Sequence, residues 1–323
     1  MKKLPYTRSE AKTWGKETIV DWYDCPTTPF LPDDSLDEKG LRKNIEYYIE
    51  IGEKGLVVGG FVAECWNTTV TEWKRYHEVI ADAVGGRLPL HTIILDPSVH
   101  QAMEKLNYVE QLGYVGAEVV TPIVQLRADD EIFDYYNYLA THSNLAIIFY
   151  RSMVSGHLLS FELCQRLSEI ETIVGMKQGS FNHDDTLKLR KICRDDFIVS
   201  EPIENHWFND LRHGGQVMYG GFHHILYGKK RKLLEQYTAL ARAGHFDEAF
   251  ELWTELTPVR DLLDEVMLGP ISKTFTYATT LGNVKAWYEA MGLAAGVMRS
   301  PIRQIAPEQK ETIKGRLQEL GVI

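Results

Sequence analysis

Two residues suggest the chemistry most directly. Lys177 ends the apolar run Ile173-Val174-Gly175-Met176, and Tyr150 ends the run Ala146-Ile147-Ile148-Phe149. If the runs are neighbouring strands of one buried sheet, about 4.8 Å apart, the two side chains can meet at its end. An ammonium is costly to bury without a partner, so the pKa of Lys177 should fall. A neutral amine attacks carbonyls and forms a Schiff base. A phenol beside it can carry protons to and from the carbonyl or carbinolamine oxygen. Each residue also has a plainer reading. Lys177 could snorkel to solvent along its aliphatic stem. Tyr150 could be a core tyrosine with its hydroxyl on a backbone carbonyl.

The elements that would position these residues recur along the chain. Short apolar or β-branched runs fall at 17–23, 55–59, 90–95, 117–121, 146–150, 173–177, 197–201 and 216–219. Amphipathic stretches follow them at 37–51, 71–84, 99–112, 130–142, 161–169, 183–193, 206–211 and 229–242. Continuous apolar runs suit strands buried on both faces, and their alternation with helices predicts a parallel sheet. Eight such units predict an α/β fold, the (β/α)8 TIM barrel. An open doubly wound sheet typically has fewer strands. Its dinucleotide fingerprint is also absent, because the first run leads into Cys25-Pro26-Thr27-Thr28-Pro29 rather than a glycine-rich turn. After Gly244 the alternation stops, and 246–267, 272–291 and 307–320 read as helices. The expected organisation is a catalytic barrel over 1–244 and a C-terminal helical domain over 245–323, which covers barrel helices or makes subunit contacts.

Composition narrows the function. The 323 residues include 35 Lys+Arg and 45 Asp+Glu, a formal net charge of −10. That balance argues against a nucleic-acid partner. Cys25, Cys65, Cys164 and Cys193 are scattered and form no CxxC, so neither a zinc ribbon nor a redox pair is signalled. A reduced, cytoplasmic setting is expected. The charged opening segment has no apolar core and does not read as a signal peptide. No apolar run reaches membrane-spanning length, so no membrane partner is expected.

In a barrel, catalytic groups sit at the C-terminal ends of the strands. Glu201 and Glu204 follow the seventh run, where Glu201 could bind substrate or act as a second acid–base group. A solvated loop carboxylate is the plain alternative. Met218, in the eighth run, is a candidate for the substrate site. Glu64 reads as a structural cap of the helix beyond it. The pair His223-His224 lacks the spacing of a metal site, so no metal is expected. His206-Trp207 and Trp66 either line the barrel mouth or pack.

Taken in order, these segments resemble the dihydrodipicolinate synthase / N-acetylneuraminate lyase superfamily. Thr28-Pro29-Phe30 is similar to its opening segment. Gly59-Gly60 with Glu64 falls where the family has its Gly-Thr-Thr-Gly-Glu loop. Thr121-Pro122 is similar to the end of its fourth strand, Phe149-Tyr150 to its fifth and Gly175-Met176-Lys177-Gln178 to its sixth. Val284-Lys285-Ala286 and Met298-Arg299-Ser300-Pro301 fit its C-terminal helices. The resemblance implies a barrel with a helical extension, commonly a homotetramer. It implies Lys177 as the Schiff-base lysine and Tyr150 as the proton-transfer residue. It implies no metal or organic cofactor.

The sequence departs from that pattern at the substrate. The family loop has two adjacent hydroxyl residues that hold the carboxylate of a 2-oxo acid. Here Phe61 and Val62 occupy those places, followed by Ala63, and neither side chain donates a hydrogen bond. Ile123 and Val124 replace a tyrosine pair. Arg151 follows Tyr150 directly instead of standing at the family's arginine position, and could substitute for it. Phe61, Val62, Ile123, Val124 and Met153 predict an apolar pocket, which suits an apolar or aromatic ligand. The expected function is an imine-forming aldolase or hydratase-aldolase acting on a small carbonyl substrate with a bulky portion. A sugar-acid aldolase or dehydratase is the alternative within the family, and a non-catalytic ligand-binding relative is the alternative outside catalysis.

Overall fold

The structure, a computed structural model, describes residues 3–122 and 124–323. These residues form two compact units. The first unit comprises the segment up to Asp24, Lys54–Gly60 and Gly85–Gly221. It contains eight strands: β1 (Asp21–Asp24), β2 (Gly55–Val58), β3 (Leu90–Ile94), β4 (Gly116–Val120), β5 (Ala146–Arg151), β6 (Ile173–Gln178), β7 (Ile198–Ser200) and β8 (Val217–Gly221). All pair in parallel in the order β7-β6-β5-β4-β3-β2-β1-β8. The expected (β/α)8 barrel is therefore present and nearly closed. β7 and β8 touch, but among the described residues they form no ladder. Every residue of β2 to β8 is buried, which explains why each strand reads as a continuous apolar run.

Three helices of this unit, Val99–Leu112, Phe161–Ser168 and His183–Ile192, begin where the sequence supplies a cap. The Ser98 hydroxyl accepts from the amide of Gln101, and that of Ser160 from Leu163. The Asn182 side chain accepts from Asp184. Each cap satisfies an amide that the helix itself leaves unpaired.

One element departs from the expected strand at 17–23. A helix, Ala11–Thr18, occupies the start of that segment, and β1 begins only at Asp21. A reciprocal Thr7–Glu10 capping box precedes the helix, a start signal legible in the sequence. The helix packs against β5 and β6, with Gly15 against Val174 and Ile198. Its Lys12 Nζ donates to the carbonyls of Ser168 and Ile173 at 2.6 and 2.7 Å. Burial lowers the pKa of this lysine to about 8.

Register and pleat decide which side chains enter the barrel. Tyr23 aligns with Tyr219 and Gly55, and Glu118 with Ile93. The Tyr219 hydroxyl shares a hydrogen bond with His91 Nδ1 at 2.8 Å, and the Tyr23 ring lies 5.4 Å from the same imidazole. This aromatic layer leaves no room for a side chain at Gly116, the register partner of His91 on the neighbouring strand. A Cβ on Gly116 would come within 2.6 Å of the His91 ring. Trp14 of the N-terminal helix stacks on His91, so the aromatic layer and that helix fill the N-terminal end of the barrel.

The second unit comprises Cys25–Glu53, Phe61–Val84 and Phe222–Ile323. Its helices Glu38–Glu50 and Val70–Val84 pack together. The expected helix at 246–267 is divided. Phe246–Glu255 ends before Thr257–Leu263, where Pro258 at the first turn cannot donate to the preceding helix, and Asp264–Leu268 is a π-helical turn. The expected helix at 272–291 is also broken. Gly269–Thr274 stops at Phe275, whose φ of 52° is left-handed, and the chain resumes helix only at Leu281–Ala290. The last helix, Pro307–Glu319, lies where expected.

Candidate active site

The C-terminal half of the barrel interior holds an amine, a carboxylate and a phenol together. Lys177 on β6 is 5% exposed. Its Nζ donates to the Gly220 carbonyl at 2.9 Å and lies 3.5 Å from Glu118 Oε2. Glu118, Lys177 and Gly220 come from β4, β6 and β8, alternate strands that contribute one interior layer. Gly220 has φ +66°, and a Cβ there would stand 2.6 Å from Lys177 Nζ. The layer closes around the lysine because that position has no side chain.

Tyr150 on β5 pairs in register with Lys177, so both side chains share the interior face. The Tyr150 ring centroid lies 4.6 Å from Lys177 Nζ. The backbone of Gly179 passes close to the same ring, where a Cβ would come within 2.8 Å. The phenol is 2% exposed and held directly beside the amine. The structure brings these two residues of the sequence reading together.

Glu118 is the residue that sequence reasoning missed. It stands inside the apolar run Gly116-Ala117-Glu118-Val119-Val120, where a carboxylate is out of place. It is wholly buried, and burial raises its pKa against the opposing pull of Lys177. Its Oε1 has no hydrogen-bond partner among the described residues. A charged side chain in a run otherwise suited to burial was the legible signal.

The other candidates are placed elsewhere. Arg151 follows Tyr150 and points to the opposite face of β5. Its guanidinium is buried and donates to Asp185, Gln178 and the Leu159 carbonyl at 2.9 to 3.0 Å. Met218 alternates with the inward-facing Tyr219, so it lies on the outer face of β8, also buried. Glu201 is buried just beyond β7. Its Oε2 accepts from Thr186 at 3.0 Å and lies 3.4 Å from His206 Nδ1, and burial raises its pKa. Ser152 and Ser155 are engaged in their own turn, with the Ser155 hydroxyl donating to the Ser152 carbonyl. Val124 and Met153 are 67% and 38% exposed. Ile123 lies outside the described residues.

Phe61 and Val62 belong to the second unit. Phe61 is half-buried and stacks on Tyr277, with centroids 5.6 Å apart and planes at 4°. Val62 is buried, and its carbonyl accepts from the Thr27 hydroxyl at 2.9 Å. In the same unit Glu64 does not cap a helix with its side chain. It pairs with Lys285 at 2.6 Å and accepts from the Arg299 amide at 3.0 Å. His224 is held between Glu53 and Glu235 at 2.6 and 2.9 Å. Among the described residues no three His, Cys, Asp or Glu side chains are grouped to hold a metal ion.

An interior lysine on β6 stands in register with a tyrosine on β5, the placement that the sequence resemblance implies. The model of the dihydrodipicolinate synthetase family matches residues 23–320. The chain belongs to that family. As a dihydrodipicolinate synthetase family member it is a lyase of the class I, imine-forming type. It is 26% identical over 299 residues to the 4-hydroxy-tetrahydrodipicolinate synthase of Methanopyrus kandleri, covering 92% of this chain and 94% of that one. Its fold is similar to the crystal structure of dihydrodipicolinate synthase from Thermotoga maritima, with a TM-score of 0.81 at 21% identity, covering 95% of this chain and 100% of that one. It is equally similar to a dihydrodipicolinate synthase variant characterised as monomeric, with a TM-score of 0.82 at 20% identity over 96% of this chain and 99% of that one. No helix among the described residues is long and apolar enough to cross a membrane.

Proposed function

We propose that this family member is an aldolase or hydratase-aldolase that condenses Lys177 with a 2-oxo acid or related carbonyl bearing a bulky, apolar portion. The observation that carries the reading is the buried Lys177 amine, 4.6 Å from the Tyr150 ring at the C-terminal end of the barrel interior. The amine attacks the carbonyl carbon, and the carbinolamine loses water to give a protonated imine. That cation is an electron sink for the adjacent carbon, so a carbon–carbon or carbon–oxygen bond there can break or form. Tyr150 carries the proton at the bond-breaking step.

The substrate preference rests on the sequence, where Phe61 and Val62 stand at the places of the family's two hydroxyl residues. Two apolar side chains in place of two hydroxyls remove hydrogen bonds to a charged carboxylate, each about 1.5–3 kcal/mol. An apolar extension on the substrate would recover part of that loss by burial, at about 25 cal/mol per Å². Relatives named 4-hydroxy-tetrahydrodipicolinate synthase therefore share the imine chemistry with this chain rather than its preferred substrate. The enzyme works in the cytoplasm, a setting supported by four buried cysteines that form no disulfide among the described residues, and as a homotetramer, the assembly that the family resemblance implies. The test compares kcat/KM for aryl-substituted 2-oxo acids, small sugar acids, and pyruvate with aspartate semialdehyde. The aryl substrates should lead. Efficient condensation of pyruvate with aspartate semialdehyde would overturn the preference.

A further inference from the structure

Glu118 is a carboxylate with no exposed surface, set in the middle of a buried strand. Burying such a group costs several kcal/mol unless strong partners satisfy both oxygens. The chain shows elsewhere what a structural Lys–Glu pair looks like. Glu64 meets Lys285 at 2.6 Å and accepts a backbone amide as well. Glu118 meets Lys177 only at 3.5 Å, its second oxygen has no hydrogen-bond partner among the described residues, and Lys177 makes its shorter hydrogen bond to the Gly220 carbonyl instead. The Glu118 carboxylate is loosely coupled, desolvated and aimed at the Lys177 amine.

We propose that Glu118 is a catalytic acid–base residue for imine formation at Lys177. The proposal rests on reading Lys177 as the imine-forming amine. The resting pair is neutral, an amine beside a carboxylic acid, because two separate charges in this interior would be poorly solvated. As the carbon–nitrogen bond forms, Glu118 gives its proton to the carbonyl oxygen. It then takes one proton from the nitrogen and passes it to the carbinolamine hydroxyl, which leaves as water when the carbon–oxygen bond breaks. Amine, acid and carbonyl thus become protonated imine, carboxylate and water, with no net change in charge. The carboxylate left behind faces the imine cation, and the short range and low dielectric make that attraction strong. Tyr150 is then free for the proton of the later bond-breaking step.

The titratable groups around Glu118 are few. Lys177 faces it from β6 and Tyr150 stands beside Lys177 on β5. His91 lies toward the N-terminal end of the interior, where burial holds it neutral with a pKa of about 3. Tyr219 is hydrogen-bonded to His91, and Tyr136 packs behind β4 with its pKa raised by burial. A pH dependence near neutrality that Glu118→Gln removes therefore reports the Glu118–Lys177 pair.

The test measures the rate of borohydride-trapped imine formation at Lys177 with pyruvate and with benzylidenepyruvate, across pH, for wild type, Glu118→Gln and Glu118→Asp. Glu118→Gln keeps the shape and removes the proton, so trapping should slow by about 10²–10⁴-fold and lose one limb of its pH profile. Glu118→Asp should recover part of the rate. Infrared difference spectra of the wild type should show a protonated carboxyl band that is lost when the imine forms. Wild-type trapping rates and an unchanged pH profile in Glu118→Gln overturn the proposal. If Glu118→Gln does not fold, a full rate in Glu118→Asp without a protonated carboxyl band overturns it equally. A wild type that forms no adduct at Lys177 removes the underlying reading and the Glu118 role together, whereas an adduct that ignores Glu118 removes only the latter.

Discussion

Gly220→Ala perturbs the site by a single methyl group. Position 220 has φ +66°, a conformation that costs an L-residue about 1–2 kcal/mol. The new Cβ would stand 2.6 Å from Lys177 Nζ and 2.9 Å from Glu118 Oε2. The Nζ end must retreat by about 0.8 Å to reach an ordinary 3.4 Å contact, and that retreat moves the amine away from its place beside the Gly220 carbonyl. Displacement of a reacting group by about 1 Å can cost roughly 10²-fold in rate. Gly214→Ala is the matched control, because Gly214 has φ +85° with open space around it. Both variants should lose about 1–2 kcal/mol in urea unfolding, since both carry the same backbone strain. Only Gly220→Ala should slow borohydride trapping at Lys177, by about 10²-fold. Equal trapping rates in the two variants would refute the claim that the missing side chain at 220 positions the amine.

Three further outcomes are expected. Tyr150→Phe keeps the ring beside Lys177 and removes the proton carrier, so turnover should fall about 10²-fold or more with unfolding unchanged. Lys12 has a folded pKa of about 8 against an ordinary 10.5, so between those values the unfolded chain binds the extra proton and stability rises with pH. Lys12→Met should remove up to about 1.4 kcal/mol per pH unit from the slope of unfolding free energy in that window. Sedimentation at micromolar concentration should show a tetramer, and a species of only 37.0 kDa would contradict the proposed assembly.

The strands were legible because both faces of each are buried. Seven of the eight runs lie within a few residues of their positions in the barrel, and helix starts coincide with caps such as Ser98, Ser160 and Asn182. Legibility failed where a local signal was overridden or overlooked. The N-terminal helix was hidden in a charged segment whose only flag is the Thr7–Glu10 box. The break at Phe275 depends on a left-handed residue that carries no glycine to announce it. At the site, Lys177 and Tyr150 were readable because polar groups at strand ends interrupt apolar runs. Arg151 and Met218 show the limit of that reading, since pleat parity turns each away from the face that Tyr150 or Tyr219 occupies. Glu118 was visible in the sequence, but its meaning depends on β4 and β6 reaching across the barrel to one layer, which periodicity along a single strand does not reveal.

The central claim is that Lys177 forms the imine. Lys12 is the internal rival, because its pKa of about 8 also makes it partly neutral near physiological pH. It lies at the opposite end of β6, where it binds the Ile173 carbonyl. The direct measurement is peptide mapping by mass after borohydride reduction in the presence of benzylidenepyruvate and pyruvate. The expected result is one adduct per chain, on Lys177, lost in Lys177→Ala and kept in Lys12→Met. An adduct on Lys12 or another lysine, or no adduct across both carbonyls, would contradict it.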